Sequence, residues 1–330
     1  MYGKVTKIFY SVVFCMERRP FLIDCDTGTD DAIAIMAALG CPQIQVKAVT
    51  SVNGNVSENF TSQNNLDLME YLGRTDIPVA HGAVRPLLSG IVNDEGGSGT
   101  HGKTGFGTVS LPPARHSSFD RRVASELIYD LAVACEGALE LLVIGPMTNI
   151  AIALCNHRDL AGLIKHIWFM GGAVQGGNVS PTAEFNIWVD PEAAHIVFQS
   201  GIPMTMVGLD VTLKAIMTSQ DIQTLREAGT KAAGLTTDLL EFMLRRRSKG
   251  GEDLVMHDAL ALCAAVCPEC LTCKELFVDV EYAGRYTSGH TFADLRGRTG
   301  KPPNMSVALE VDSSLFRQWL VEAIRAVPDK

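Results

Sequence analysis

The sequence predicts an α/β protein: a single domain built on an open, mostly parallel sheet with helices on both faces. Three observations carry this. Short apolar runs alternate with amphipathic stretches along the chain. The 330 residues are 47% hydrophobic, enough for a large buried core. No Pro-, Gly- or Ser-rich linker divides them. Strand–helix alternation suits a parallel sheet, because parallel neighbours need long crossovers that helices fill.

The elements follow in order. Phe21-Leu22-Ile23 reads as the first buried strand, and Asp31–Leu39 as a helix with Ala and Ile on its inner face. Gln45–Ser51 reads as a strand, Ser57–Leu72 as a helix and Ile77–Ala80 as a short strand. Leu139–Ile144 is a strand leading into a helix from about Asn149. His166–Met170 is a strand, Pro191–Gln199 a helix and Met204–Leu209 a strand. Ligands of such sheets gather beyond the carboxyl ends of the strands. The loops after Ile23, Ser51, Ile144, Met170 and Leu209 are therefore expected to matter. The Gly-, Ser- and Thr-rich loop Asn93–Gly107 holds His101 and reads as a lid or a plain surface connection.

Residues 1–18 read as a poorly packed extension ahead of a domain covering 19–330. Lys4 and Lys7 precede the apolar run Ile8–Met16, which imitates a signal-peptide core. Glu17-Arg18-Arg19-Pro20 follows without a small-residue cleavage site, and the run is too short to span a bilayer.

The formal net charge of −9 argues against nucleic acid and membrane as partners, because phosphates and anionic lipid are repelled. A small ligand fits better. The odd count of nine cysteines argues against a disulfide framework and for a reducing, cytoplasmic setting. Cys267, Cys270 and Cys273, with Cys263 upstream, are spaced more tightly than a usual structural zinc site, so no metal is expected there.

The most informative segment is Asp24-Cys25-Asp26-Thr27-Gly28-Thr29-Asp30-Asp31. Four carboxylates crowd the end of a strand and the start of a helix. They repel one another unless a cation or shifted protonation relieves them, and hard oxygens suit Ca²⁺ or Mg²⁺ rather than zinc. An Asp-rich helix cap is the plainer reading. Two enzyme patterns compete here. A phosphatase of the haloacid-dehalogenase type would use Asp24 as nucleophile, but Gly28 stands where that motif wants Thr or Val. The pattern Asp-x-Asp-x-Gly-x-Asp-Asp is met at every fixed position, and it resembles the nucleoside hydrolase family.

Further segments extend the resemblance from about Arg19 to the C-terminus. They are Asn53-Gly54-Asn55, Gly145-Pro146-Met147-Thr148-Asn149, Met170-Gly171-Gly172, Gly177-Asn178, Ala183-Glu184-Phe185-Asn186, Asp190-Pro191-Glu192 and His257-Asp258. The resemblance implies the nucleoside hydrolase fold, a homodimer or homotetramer, and cleavage of ribonucleosides to free base and ribose in salvage or catabolism. It implies Ca²⁺ held by Asp26, Asp31, Asp258 and the main-chain oxygen of Ile144, and a calcium-bound water activated by Asp26. Asp30, Asn178, Glu184 and Asn186 resemble the family's ribose ligands, with Met170 and Phe185 beside the substrate. Asn55 would support Asp26, while His101 and His257 would lie near the base, His257 as proton donor. A nucleoside-binding protein without catalysis is the remaining alternative. His81 and His195 read as structural.

Family members that accept purines and pyrimidines alike tend to carry two tyrosines, one turn apart, before the His-Asp pair. Met243 and Arg247 occupy that spacing here, so no tyrosine relay to the leaving base is expected.

Overall fold

The computed structural model describes residues 18–88, 100–247 and 254–329, with the side chains of 246 and 247 left aside. Apart from Arg18, the N-terminal extension lies outside these residues, as do residues 93–99 of the Gly-rich loop and the side chain of Arg247.

The first half runs β1 (Arg19–Cys25), α1 (Thr29–Gly40), β2 (Ile44–Ser51), α2 (Glu58–Tyr71), β3 (Val79–Ala80), α3 (Ala124–Ala134), β4 (Leu139–Val143) and α4 (Thr148–Asn156). Then come β5 (Ile164–Met170), α5 (Phe185–Val189), α6 (Pro191–Phe198), β6 (Met204–Val207), α7 (Leu209–Thr212), α8 (Ser219–Ala228) and α9 (Lys231–Arg247). The chain closes with α10 (His257–Val266), β7 (Leu271–Leu276), β8 (Val278–Glu281), β9 (His290–Ala293), β10 (Met305–Val311) and α11 (Ser313–Arg325).

Eight strands form one sheet in the order β3-β2-β1-β4-β5-β6-β10-β7. All neighbours are parallel except β10 and β7. β8 and β9 form a separate antiparallel hairpin. The predicted mostly parallel sheet is present. Among the described residues, no helix is long and apolar enough to cross a membrane.

The central strands β1, β4 and β6 are buried on both faces by two apolar layers, whereas β7 at the sheet edge is largely exposed. α1 is almost wholly buried. A helix apolar all round belongs in an interior, and α1 packs against α10 and α11. The small side chains of Ala32, Ala34, Ala37, Ala259 and Ala264 let these helices approach closely.

Some boundaries differ from the sequence expectation for local reasons. The strand expected over Ile77–Ala80 is only Val79–Ala80, since Pro78 has no N–H to pair. The strand expected to reach Leu209 stops at Val207; the chain turns at Gly208 and Leu209 opens α7. Cys273 lies on β7, away from the helix that carries Cys263.

Candidate active site

Strand order reverses its direction of growth between β1 and β4, which lie side by side. A parallel sheet opens a crevice at such a point, beyond the strand ends. β1 delivers Asp24 to that edge, beside Thr50 of β2 and Val143 of β4. The next turn carries Asp26, and the first turn of α1 carries Asp30 and Asp31. Asp258 arrives from far along the chain, in the first turn of α10. Each helix presents its N-terminus, whose unpaired N–H groups favour negative charge.

Asp26 is held by backbone. The Asn55 N–H donates to its Oδ2 at 2.6 Å. A Cβ on Gly54 would stand 2.0 Å from that oxygen, so only glycine lets the chain approach so closely. Asp31 Oδ2 accepts from the Gly28 N–H at 2.9 Å and from Asn55 Nδ2 at 3.1 Å. Asn55 thus bridges the two acids. The other oxygens, Asp26 Oδ1 and Asp31 Oδ1, are buried without a hydrogen-bond partner. Asp30, Asp31 and Asp258 offer oxygens that all lie within 4.8 Å of one another.

Burial dominates the electrostatics of this cluster. It pushes Asp31 up to about 7, with the Asp30 charge adding to the effect. It raises Asp26 well above the carboxylate range, reinforced by Asp31, and Asp258 likewise, reinforced by Asp30 and Asp31. Buried anions so close together call for a positive charge among them. The unpartnered oxygens suit a hard cation, and all the donors are oxygen. The Ile144 carbonyl accepts from Asn186 Nδ2 at 3.2 Å, which leaves its second lone pair for such an ion.

Asp24 shares one trait with this set, since its Oδ2 is likewise buried without a hydrogen-bond partner. It is fully buried, and its Oδ1 accepts from Thr50 Oγ1 at 2.5 Å and Asn149 Nδ2 at 2.8 Å. Burial pushes it up to about 7.

His101 docks on the first turn of α1. The Thr29 N–H donates to its Nδ1 at 3.2 Å, so the neutral ring carries its proton on Nε2. Asp30 Oδ1 lies 4.0 Å from the same nitrogen. A Cβ on Gly28 would strike the ring at 2.4 Å. Residues 100–107 are pinned rather than loose: Asn64 Nδ2 donates to the carbonyls of Thr27 at 3.0 Å and Thr104 at 2.6 Å, and Phe106 is buried. His257 is half-buried, with Nδ1 2.9 Å from Thr212 Oγ1.

The segment after β5 wraps the site. Glu184 caps α5 and accepts from the backbone N–H groups of Gly172, Asn186 and Ile187 at 2.9, 3.0 and 3.2 Å. Burial pushes it up to about 7 despite those bonds. Asn186 Nδ2 also reaches the Met170 carbonyl at 3.1 Å. Asn178 is exposed and accepts from the Phe185 N–H at 3.0 Å. His81 and His195 lie elsewhere, against Glu58 at 2.9 Å and Asp279 at 2.7 Å.

Some supporting residues went unnoticed in the sequence. Thr29 orients His101, and Thr212 contacts His257. Asp210 accepts from the N–H groups of Val174 and Gln175, anchoring the loop that leads to Asn178. Asn149 does carry a signal, because it closes the Gly-Pro-Met-Thr-Asn segment. Its amide joins Asp24 to the Ala83 N–H at 2.8 Å. The two threonines and Asp210 carry no local signal.

Buried carboxylates gather at the switch point of a parallel sheet, ringed by amides and two imidazoles, and their oxygens suit a hard cation. The family described as inosine-uridine preferring nucleoside hydrolase matches residues 21–318. The chain belongs to that family and is an N-glycosyl hydrolase that cleaves ribonucleosides to nucleobase and ribose. It is 40% identical over 309 residues to the pyrimidine-specific ribonucleoside hydrolase RihA of Escherichia coli O81 (strain ED1a), covering 93% of this chain and 98% of that enzyme. A purine-preferring ribonucleoside hydrolase from Gardnerella vaginalis superposes with a TM-score of 0.86 at 31% identity, covering 93% of this chain and 98% of that one. A plant nucleoside hydrolase superposes with a TM-score of 0.87 at 28% identity, covering 93% and 99%.

Proposed function

We propose that Asp26 is the general base of this hydrolase, and that a Ca²⁺ ion is held by Asp26, Asp31, Asp258 and the Ile144 carbonyl. The observation that carries this is the pair of buried, unpartnered oxygens, Asp26 Oδ1 and Asp31 Oδ1, beside the close-set oxygens of Asp30, Asp31 and Asp258. When bound, the cation supplies acidification of a water molecule near neutral pH.

The chain's own residues divide the remaining work. Asn55 fixes the Asp26 carboxylate by its N–H and leaves Oδ1 to receive the proton of the attacking water. A well-placed base contributes about 10²–10⁴-fold. Asp30, Asn178, Glu184 and Asn186 take the ribose hydroxyls. Cleavage builds positive charge on the ribose, which the surrounding carboxylate and amide oxygens stabilise. His257 gives a proton to the departing base, its ring set by Thr212. His101, held beside Asp30, closes the site from the α1 side. Met170 and Phe185 supply apolar contact to the nucleoside.

The 40% relative is named pyrimidine-specific, and we extend that preference to uridine and cytidine here. Ribose release from uridine, cytidine, inosine, adenosine and guanosine, with and without a calcium chelator, tests the whole reading. Pyrimidine turnover that the chelator abolishes is the expected result. Faster turnover of inosine would overturn the preference, and turnover indifferent to the chelator would overturn the metal.

A further inference from the structure

A second cluster of ligating side chains lies at the far end of α10, and the reaction does not use it. Cys263 sits in the last turns of that helix, Cys267 caps its C-terminus, and Cys270 ends the short 3₁₀ turn that begins at Pro268. All three are buried, with exposures of 0, 1 and 1%. Their sulfurs all lie within 4.8 Å of one another, and Cys267 and Cys270 approach to 3.3 Å. Every described cysteine is a free thiol, so no disulfide explains the grouping.

We infer that Cys263, Cys267 and Cys270 form a three-thiolate site for a soft or borderline divalent cation of the zinc class, separate from the carboxylate site. The geometry is near what such an ion needs. Zinc binds thiolate at about 2.3 Å, which sets tetrahedral sulfurs about 3.8 Å apart. Modest side-chain rotation converts the present triangle into that one. The Glu269 carboxylate interacts with the Cys267 thiol and offers a fourth donor. Three thiolates with one oxygen suit zinc and are poor for calcium.

The surroundings favour this use. Hydrogen bonds from Cys263 and Cys267 hold the Cys270 thiol down to about 5, whereas burial pushes Cys263 well above the usual thiol range, so Cys270 is the first of the three to ionise. The remaining thiol protons pass to solvent as the ion binds. Cys41 feels the charge of Cys267 and lines a surface cavity of about 590 Å³, together with Arg18, Trp319 and Glu322. The tight Cys-x-x-Cys spacing, unpromising for an extended loop, works because the Pro268 turn folds Cys270 back onto the helix end.

The role is structural. The ion would lock the C-terminal end of α10 to the turn before β7. The other end of α10 carries His257 and Asp258.

The test uses the full chain, purified reduced, in excess calcium and with one equivalent of zinc or cobalt(II). One zinc per chain should survive desalting. Cobalt should give the intense near-ultraviolet thiolate charge-transfer band of a tetrahedral sulfur site. Cys267→Ser and Cys270→Ser should each lose both signals, whereas Cys273→Ser, on the exposed residue of β7, should keep both. The cobalt spectrum of the unaltered chain decides the matter if a serine variant fails to fold. A folded wild-type chain without zinc or the charge-transfer band overturns the proposal. So does retention that Cys270→Ser leaves unchanged. Isolation as a Cys267–Cys270 disulfide, two hydrogens lighter and taking up no metal after reduction, overturns it in favour of a redox pair.

Discussion

The two ends of α10 make opposite chemistry from one helix. The N-terminal end brings His257 and Asp258 to a nest of carboxylates. The C-terminal end, nine residues and about 13 Å away, brings Cys263 and Cys267 to a nest of thiols. At the first end the helix dipole favours anions. At the second it favours cations, and Arg19 Nη1 already donates to the Ala265 carbonyl there at 2.6 Å. Hard oxygens gather beyond the carboxyl ends of β1 and β4; soft sulfurs lie in a closed corner. The lesson is that burial alone does not mark a reactive centre. The carboxylate end has buried oxygens without a hydrogen-bond partner, while the sulfurs at the thiol end face one another.

The largest expected effect separates these ends. Asp26→Ala should lower kcat by about 10²–10⁴-fold, as expected for loss of a general base. The zinc content of that variant should not change. Near-normal turnover would exclude Asp26 as base, and loss of zinc would mean the ends are not independent. Next in size, zinc at one hundred times its dissociation constant should raise stability by about 2.7 kcal/mol. Thermal melts with and without zinc, in constant calcium, read this as an upward shift. The turnover of molecules still folded should stay the same.

Asp24 sharpens the distinction within the carboxylate end. Asp24→Ala strips Thr50 and Asn149 of a shared acceptor inside the core, at a cost of about 2–4 kcal/mol. Asp24→Asn keeps an acceptor oxygen and should cost clearly less. Urea midpoints of the two variants check this. An equal cost would mean that the charge itself, not the acceptor, is what the fold needs.

A pH slope in calcium-free protein tests the same residue by its charge. Burial raises Asp24 from its ordinary 3.8 to about 7. Below the lower value both folded and unfolded chains hold the proton. Between the two, only the folded chain holds it, so rising pH draws the unfolded state down and stability falls. Above about 7 the loss is complete. The stability of wild type minus that of Asp24→Asn should therefore decline from about pH 4 to pH 7 and then level. A flat difference would show that Asp24 is ionised throughout.

Much of the carboxylate end is legible in the sequence because its parts are local. Asp24, Asp26, Asp30 and Asp31 lie within eight residues, and strand–helix alternation places them at a sheet's carboxyl edge. The bridging role of Asn55 was foreshadowed by its motif, but its twofold contact with Asp26 and Asp31 was not. The Asn186 contact with Ile144 spans 42 residues, and the Thr212 contact with His257 spans 45. No spacing rule reaches that far. The grouping of the thiols is hidden for a related reason. Linear spacing treats Cys267, Cys270 and Cys273 as one run, whereas the Pro268 turn gathers the first two with Cys263 and sends Cys273 out along β7.

By itself, the sequence determined the alternating α/β order, the acidic turn and the motifs that mark a ribonucleoside hydrolase, because each is written in neighbouring residues whose period or spacing is physically constrained. Only the tertiary structure decided which oxygens stay unpartnered, how each histidine ring is held and which cysteines meet. Those outcomes depend on long-range packing that brings α10 against α1 and sets both of its ends at once.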